Sequence, residues 1–232
     1  MKLSIIICAY NERSTILDAI RQTHAVNLGP GWEQEIVVVD NYSTDGTREL
    51  LQSVDMPGVR VVFHPRNLGK GASVRTGVAQ ASGDYFVIFD ADLEYEAGDL
   101  ARMVAKVVPG QTVAVFGSRT MGGRRIYEYA KNYWGVRLLS VVANLLYGGH
   151  LTDIAVGPKL VRLDVARSLN LAGSGFDLDF ELPCKLLKRG HAIEEVAVAY
   201  HPRTVEEGKK LSAPFRTGFH ALWVILKTRF VD

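Results

Sequence analysis

Three carboxylates at alternate positions follow an apolar run in Asp84-Tyr85-Phe86-Val87-Ile88-Phe89-Asp90-Ala91-Asp92-Leu93-Glu94. Tyr85 to Phe89 reads as a buried strand, along which successive side chains point to opposite faces. The chain turns just beyond it, so Asp90, Asp92 and Glu94 can converge past the strand's C-terminal end. A hard divalent cation held by few carboxylates, and completed by phosphate oxygens, needs such a ledge. An ordinary acidic turn has the same composition, so the rest of the chain must decide between the two.

Other groups able to do chemistry fall at matching places. Tyr10-Asn11-Glu12 follows the apolar residues 3–9, and Asp40-Asn41 closes the apolar residues 36–40. Gly69-Lys70-Gly71 is a Gly-rich turn into a helical pattern carrying Arg75, where a helix N-terminus and backbone amides favour anions. Residues 113–149 carry Arg119, Arg124, Arg125, Lys131 and Arg137 against Glu128 alone, a positive stretch. Residues 201–212, with Arg203, Lys209 and Lys210, are polar and basic and read as a flexible loop.

Short apolar runs at 3–9, 36–40, 59–64, 85–90 and 113–117 read as strands, and 14–23, 47–54, 72–81 and 97–107 as the helices between them. Such alternation, with strands apolar on both faces, predicts an α/β fold with a mainly parallel central sheet flanked by helices. Ligands of these sheets sit beyond the carboxyl ends of the strands, where Tyr10-Asn11-Glu12, Asp40-Asn41 and Asp90-Ala91-Asp92 all fall. In the second half a long helical pattern spans 127–147, with Tyr133, Val136, Leu139, Val142 and Leu146 on one face. A strand at 157–162, a helix at 177–189 and a strand at 193–200 follow, then an amphipathic segment from 214 to 230.

With 232 residues the chain fits one large domain, and a net charge of +2 gives no sign of a nucleic-acid binder. Cys8 and Cys184 have no metal-type spacing and form no disulfide framework, which fits a reducing compartment. Lys2, a short β-like run and the polar Tyr10-Asn11-Glu12-Arg13 do not make a signal peptide. The longest uncharged stretch, 138–152, falls short of the ~20 residues a membrane-spanning helix needs. Gly69-Lys70-Gly71 is no Walker motif, and no Gly-x-Gly-x-x-Gly follows a strand, so NTPase and dehydrogenase readings fall away.

Ser4-Ile5-Ile6-Ile7-Cys8-Ala9-Tyr10-Asn11-Glu12 resembles the opening strand of family 2 glycosyltransferases, which have the GT-A fold. Val37-Val38-Val39-Asp40-Asn41-Tyr42-Ser43-Thr44-Asp45-Gly46-Thr47 resembles their second strand, and Asn67-Leu68-Gly69-Lys70-Gly71, Gly83-Asp84 and Asp90-Ala91-Asp92 complete the donor half. Gly117-Ser118-Arg119, Thr152-Asp153, Gly175-Phe176 with Glu181, Glu195-Val196-Ala197-Val198, Arg203 and Gly208-Lys209-Lys210-Leu211 are similar to dolichol-phosphate mannose synthases and bacterial polyprenyl-phosphate glycosyltransferases. The likeness covers roughly residues 3–212. It implies a catalytic unit over 1–212, with a donor half to about 118 and an acceptor half from 119, followed by an amphipathic helix at 213–232.

The resemblance implies an inverting transferase that moves a sugar from a nucleotide donor to a polyprenyl phosphate. Ala9, Tyr10, Glu12, Asp40 and Asn41 would then line the base and ribose pocket, with Lys70, Arg75, Asp90, Ala91 and Asp92 beside the ribose and diphosphate. Mg²⁺ or Mn²⁺ would be held by Asp90, Asp92 and Glu94, the last standing where relatives often carry Gln, and would stabilise the leaving diphosphate. Asn41 departs from the usual aspartate. Its amide both donates and accepts, which suits a uracil or thymine edge at least as well as guanine, so a UDP-sugar is expected over GDP-mannose.

Arg203, Lys209 and Lys210 would close over the diphosphate as a lid. Arg119, Arg137 and Ser140 would hold the acceptor phosphate, since guanidinium groups clamp phosphate in two-pronged fashion. Asp92, Arg119, Arg203 and Lys210 are thus the expected catalytic set. A phosphate acceptor is already ionised and needs no general base; with a hydroxyl acceptor Asp179 or Glu181 would serve. The alternatives are a family 2 transferase with a hydroxyl acceptor, or a noncatalytic nucleotide-sugar-binding subunit. Phe215, Phe219, Leu222, Trp223, Leu226 and Phe230, with Arg216, Lys227 and Arg229, make the last helix either core-packed or interfacial, the second being favoured for a lipid acceptor. The expectation is a peripheral enzyme on the cytoplasmic face of a membrane, served by a membrane-protein partner because the chain stops at Asp232.

Overall fold

The structure is a computed structural model that describes residues 1–121, 130–203 and 214–231. Arg124, Arg125, Glu128, Lys209 and Lys210 lie outside the described residues.

Seven strands form one sheet, in the order β3-β2-β1-β4-β6-β5-β7. β1 (Lys2–Ala9) sits near its middle, between β2 (Glu33–Asp40) and β4 (Tyr85–Asp90), and is parallel to both. Ile5, Ile6 and Ile7 are fully buried, as a strand covered on both faces requires. The register sets Ala9 opposite Asp40 and Cys8 opposite Asp90, so three strand ends come level at one edge. β3 (Val59–Phe63) extends the parallel set beyond β2.

Helices α1 (Ile16–His24), α2 (Thr47–Gln52), α3 (Lys70–Gln80) and α4 (Asp99–Val104) connect these strands. At Gly77 of α3 a Cβ would stand 2.3 Å from Cγ2 of Ile6, so glycine alone lets the helix approach β1 this closely.

β5 (Ala114–Ser118) leads through α5 (Ala130–Tyr147) to β6 (Lys159–Arg162), which is antiparallel to both β4 and β5. Phe116, near the end of β5, pairs with Lys159 at the start of β6, so the chain re-enters the sheet from the edge it had just left. No crossover precedes β6, and antiparallel pairing follows. The six-residue α6 (Leu163–Ser168) was not anticipated; α7 (Leu178–Lys188) and β7 (Ile193–Ala197) complete the unit, β7 being parallel to β5.

α8 (Pro214–Phe230) packs Ala221, Val224, Ile225 and Thr228 inward. The Tyr147 hydroxyl of α5 donates to the carbonyl of Ile225 at 2.7 Å, and Lys188 of α7 donates to that of Thr228 at 2.8 Å. No helix among the described residues is long and apolar enough to cross a membrane.

Candidate active site

The turns at the level edge are strained. Asn11, Tyr42 and Leu93 adopt positive φ of 54°, 68° and 60°, each within three residues of the ends of β1, β2 and β4. Side-chain-bearing residues rarely accept this conformation, and such residues cluster at ligand sites.

Around β2 most of the polar groups serve the loops. Asp40 is fully buried; its carboxylate accepts from the Ser43 amide at 3.2 Å and from Arg48 at 3.0 Å. The Asn41 amide oxygen accepts from the Leu68 amide at 2.8 Å and from His64 Nδ1 at 3.0 Å, while its Nδ2 donates to Asn67. His64 Nε2 then accepts from the Thr76 hydroxyl at 2.9 Å. Burial holds the imidazole below its usual range against the pull of Asp40, in keeping with the neutral tautomer these partners require. The reading of Asn41 as a two-way reader of the base edge is therefore corrected: both lone pairs of its oxygen already bind the 64–68 loop. Ala9 is buried at the end of β1, and Tyr10 beside it is exposed.

Asp90, Asp92 and Glu94 part ways. Lys70 Nζ lies 2.9 Å and 3.2 Å from the two oxygens of Asp90. Glu94 accepts from the Tyr200 hydroxyl at 2.8 Å and from the Arg203 amide at 2.9 Å, and so anchors the segment bearing Arg203. Asp92 touches Arg203 Nη2 only at 3.5 Å, and burial, with the charges of Asp90 and Glu94, pushes its carboxyl up to about 7. No group of three or more His, Cys, Asp or Glu among the described residues could hold a metal ion. Of the three carboxylates expected to hold the metal, Asp90 and Glu94 have these protein partners and Asp92 has the loosest. A divalent cation fits in a narrower way. Asp92 is a hard, half-buried carboxylate whose one ion pair, to Arg203, is long at 3.5 Å, and it could share an ion with diphosphate oxygens, a habit of Mg²⁺.

Arg203 reaches back to Glu12, Nη1 to Oε2 at 2.9 Å. Its Nε is buried and has no acceptor among the described residues. Arg75 is exposed on α3. The N-terminus of α3 does not present its first amides to a ligand as expected, since Gly71 donates to the carbonyl of Gly175 at 3.1 Å and Ala72 to that of Ser174 at 3.0 Å. A Cβ on Gly69 would lie 2.3 Å from the Ser174 oxygen, so only glycine permits this seam.

Lys70 begins a line of alternating charge. It lies 3.6 Å from Asp179, which in turn lies 3.2 Å from Nζ of Lys159, a fully buried lysine at the start of β6. Burial opposes ionisation of Asp179, but Lys159 and Lys70 outweigh it and hold its carboxyl below the usual range. Burial likewise would lower Lys70, yet Asp179 and Asp90 hold it well above the ordinary lysine range. Lys159 went unremarked in the sequence, although a lysine in an apolar strand signals a paired, buried charge. Glu181 accepts from the Ala172 and Gly173 amides at 2.9 Å and 2.7 Å and pairs with Lys185. It shapes that loop.

Just past β5 Arg119 forks onto Asp153, Nε to Oδ2 at 2.7 Å and Nη2 to Oδ1 at 2.8 Å, and stacks over Tyr200. Arg119 opposes the burial that would raise Asp153, and keeps its carboxyl below the usual range. The Nε–Nη2 edge of Arg119, expected to clamp the acceptor phosphate, is thus held by Asp153. Arg137 donates to the Thr152 carbonyl at 3.1 Å. Ser140 is fully buried, donating to the Val136 carbonyl and accepting from the Ile154 amide, so it is not brought to the cleft.

The family model for glycosyl transferase family 2 matches residues 4–169. Glycosyltransferase AglJ of Haloferax volcanii is 29% identical over 215 residues, 92% of this chain and 67% of that one. An undecaprenyl-phosphate 4-deoxy-4-formamido-L-arabinose transferase of Pseudomonas fluorescens is 30% identical over 154 residues, 65% of this chain. The match spans only 44% of that longer relative. Glucosyl-3-phosphoglycerate synthase from Mycobacterium tuberculosis, solved with phosphoglyceric acid, matches 100% of this chain and 81% of its own at 22% identity and a TM-score of 0.72. The same enzyme with Mn²⁺, UDP and phosphoglyceric acid gives a TM-score of 0.74 at 20% identity. These two structures share the GT-A fold expected above. With most of its length matched by the family model and its strand ends arranged as described, the chain belongs to glycosyl transferase family 2.

Proposed function

We propose that this glycosyltransferase moves a sugar from a nucleoside-diphosphate sugar to a polyprenyl phosphate at a membrane surface, with inversion. A UDP-sugar is favoured over GDP-mannose, although Asn41 no longer argues for it. UDP is instead the nucleotide held by the solved glucosyl-3-phosphoglycerate synthase. An acceptor phosphate oxygen attacks the anomeric carbon as the bond to the diphosphate breaks, giving nucleoside diphosphate and a lipid-phosphate sugar. Asp92 would hold Mg²⁺ or Mn²⁺ together with the diphosphate, and the ion supplies Lewis-acid stabilisation to the leaving group. Arg203 lies beside Asp92 with its buried Nε donor and would supply charge to the diphosphate. Lys70 keeps Asp90 in place at the end of β4.

The observation that carries the choice of acceptor is Asp179, pinned between Lys70 and Lys159. A carboxylate satisfied by two ammonium groups is a poor proton acceptor, and a hydroxyl acceptor would need one. A lipid monophosphate, ionised beforehand, does not. The named activity of the undecaprenyl-phosphate relatives supports the same acceptor. Action at the cytoplasmic face, with a membrane-protein partner, belongs to this reading. Radiolabelled UDP-sugars offered with undecaprenyl phosphate, dolichyl phosphate and soluble hydroxyl acceptors test it. Label should enter the lipid phosphates only, and transfer confined to a hydroxyl acceptor would overturn the proposal.

A further inference from the structure

Two helices that pack against each other carry matching stripes on their outward faces. On α5, Trp134, Leu138, Val141 and Leu145 are 63%, 65%, 46% and 82% exposed. On α8, Phe219, Trp223, Leu226 and Phe230 are 74%, 55%, 39% and 73% exposed. Both sets advance by four, three and four positions, which on an α-helix draws one stripe roughly 60° wide. Each helix buries a different face: Ser140 and Ala143 on α5, Ala221, Val224 and Ile225 on α8. Large apolar side chains gathered this way, outside any core, mark an interaction surface.

Charge selects the occupant. Lys131 and Arg137 lie on α5, Arg216, Lys227 and Arg229 on α8, and neither helix has an acidic residue. A symmetric pairing with a second copy would set cation against cation, with no acidic partner from either helix. An anionic lipid surface supplies the missing sign. Both stripes also hold a tryptophan, whose ring suits the headgroup region, and Lys227 lies over the Trp223 ring at 5.3 Å, a stem that can reach headgroups.

We propose that α5 and α8 together form the face on which this chain lies on an anionic bilayer, both stripes entering the headgroup region. The proposal deepens the lipid-phosphate reading and rests on it for the choice of a bilayer. It adds α5 to a role that the sequence suggested for the last helix alone.

The stripes contain their own reporters, because Trp32 is the third and last tryptophan. Trp32→Phe keeps an aromatic ring beside Tyr85. Combined with Trp223→Phe it leaves Trp134 alone, and with Trp134→Phe it leaves Trp223. Phosphatidylcholine vesicles with and without phosphatidylglycerol, brominated on the acyl chains and free of polyprenyl phosphate and nucleotide, are the probe. Both reporters should be quenched, far more strongly with phosphatidylglycerol. In the otherwise native chain Leu145→Glu and Phe219→Glu should each cut co-sedimentation with these vesicles by about tenfold or more.

Quenching of Trp223 without Trp134 would overturn the part given to α5. Absence of both effects, or self-association abolished by the same glutamates, would overturn the bilayer for a second copy. Vesicle binding without transfer to undecaprenyl phosphate would support this surface while sinking the acceptor reading. Transfer in detergent without vesicle binding would do the reverse.

Discussion

The Arg203 guanidinium forks onto the Glu12 carboxylate, Nη1 at 2.9 Å from Oε2 and Nη2 at 3.3 Å from Oε1, joining groups 191 positions apart. Glu12 stands just past β1, so this pair ties the segment after β7 to the edge at which β1, β2 and β4 end. The third donor of the same group, Nε, is buried and unmatched among the described residues. Native proteins seldom leave such a donor idle.

Arg203→Ala should therefore weaken UDP binding about 10- to 100-fold, the loss of one or two charge-assisted hydrogen bonds. Arg203→Lys should recover only part of it, since an ammonium cannot fork. Calorimetric titration with UDP measures both. Wild-type affinity in the alanine variant would remove Arg203 from the donor site.

Asp92→Asn keeps the shape of the side chain and removes its charge. Turnover should fall by at least about 100-fold, the scale of losing one electrostatic stabiliser of a leaving group. UDP affinity in this variant should no longer differ between Mn²⁺ and chelator. A retained metal effect would move the cation elsewhere.

Arg119 and Asp153 form a buried two-pronged pair, with side chains 10% and 0% exposed. Arg119→Ala strands the Asp153 charge and should cost about 3–5 kcal/mol of stability. Arg119→Met with Asp153→Leu should regain most of that, read by thermal or denaturant melting. Transfer to undecaprenyl phosphate by the stable double variant then tests whether Arg119 has any direct part in catalysis; undiminished transfer would make the pair purely structural.

Asp179→Asn removes the centre of the Lys70–Asp179–Lys159 line. Melting temperature should fall, and donor KM should rise as Lys70 loosens, while kcat with a lipid phosphate drops less than about tenfold. Loss of a general base costs about 100-fold or more. A fall of that size in kcat alone would restore Asp179 as the base and with it the hydroxyl acceptor.

Glu35 gives a pH effect far from the cleft. Burial raises its carboxyl, but hydrogen bonds from Lys2, Ser4 and Ser82 outweigh this and bring it down to about 2. The unfolded chain binds this proton near pH 4.5, so the stabilisation is complete above that value and drains away as pH falls towards 2. Glu35→Gln should flatten that part of the stability curve in acid melts. An unchanged slope would show that Glu35 does not set it.

The parallel strands of the first half were legible because their sequences are apolar on both faces and break sharply into polar turns: β1 ends at Ala9, β2 at Asp40 and β4 at Asp90, as read. β2 begins at Glu33, three residues early, because Glu33, Gln34 and Glu35 are polar residues on the less buried part of that strand. The antiparallel course of β6 depends on where α5 returns the chain, which four residues of strand cannot announce. Partnerships in the site were hidden for a related reason. Glu94 and Tyr200 are 106 positions apart, and Arg119 and Asp153 are 34 apart, so no local spacing reveals that each is already taken. Composition marked Glu94 and Arg119 as chemically able; only packing decides what they do.

The glycine seam between residues 69–72 and 173–175 also bears on how this enzyme comes to be. Its backbone bonds join segments about a hundred positions apart, a separation at which chain entropy delays closure. Lys70 emerges at that seam and Asp179 shortly after it, so their pairing must wait for the second half of the chain to be made and docked. A nascent chain ending before α7 would contain Lys70 and Asp90 but not Asp179. During synthesis, then, the edge where β1, β2 and β4 end can assemble early, while the charge line beside it closes only once α7 has been made.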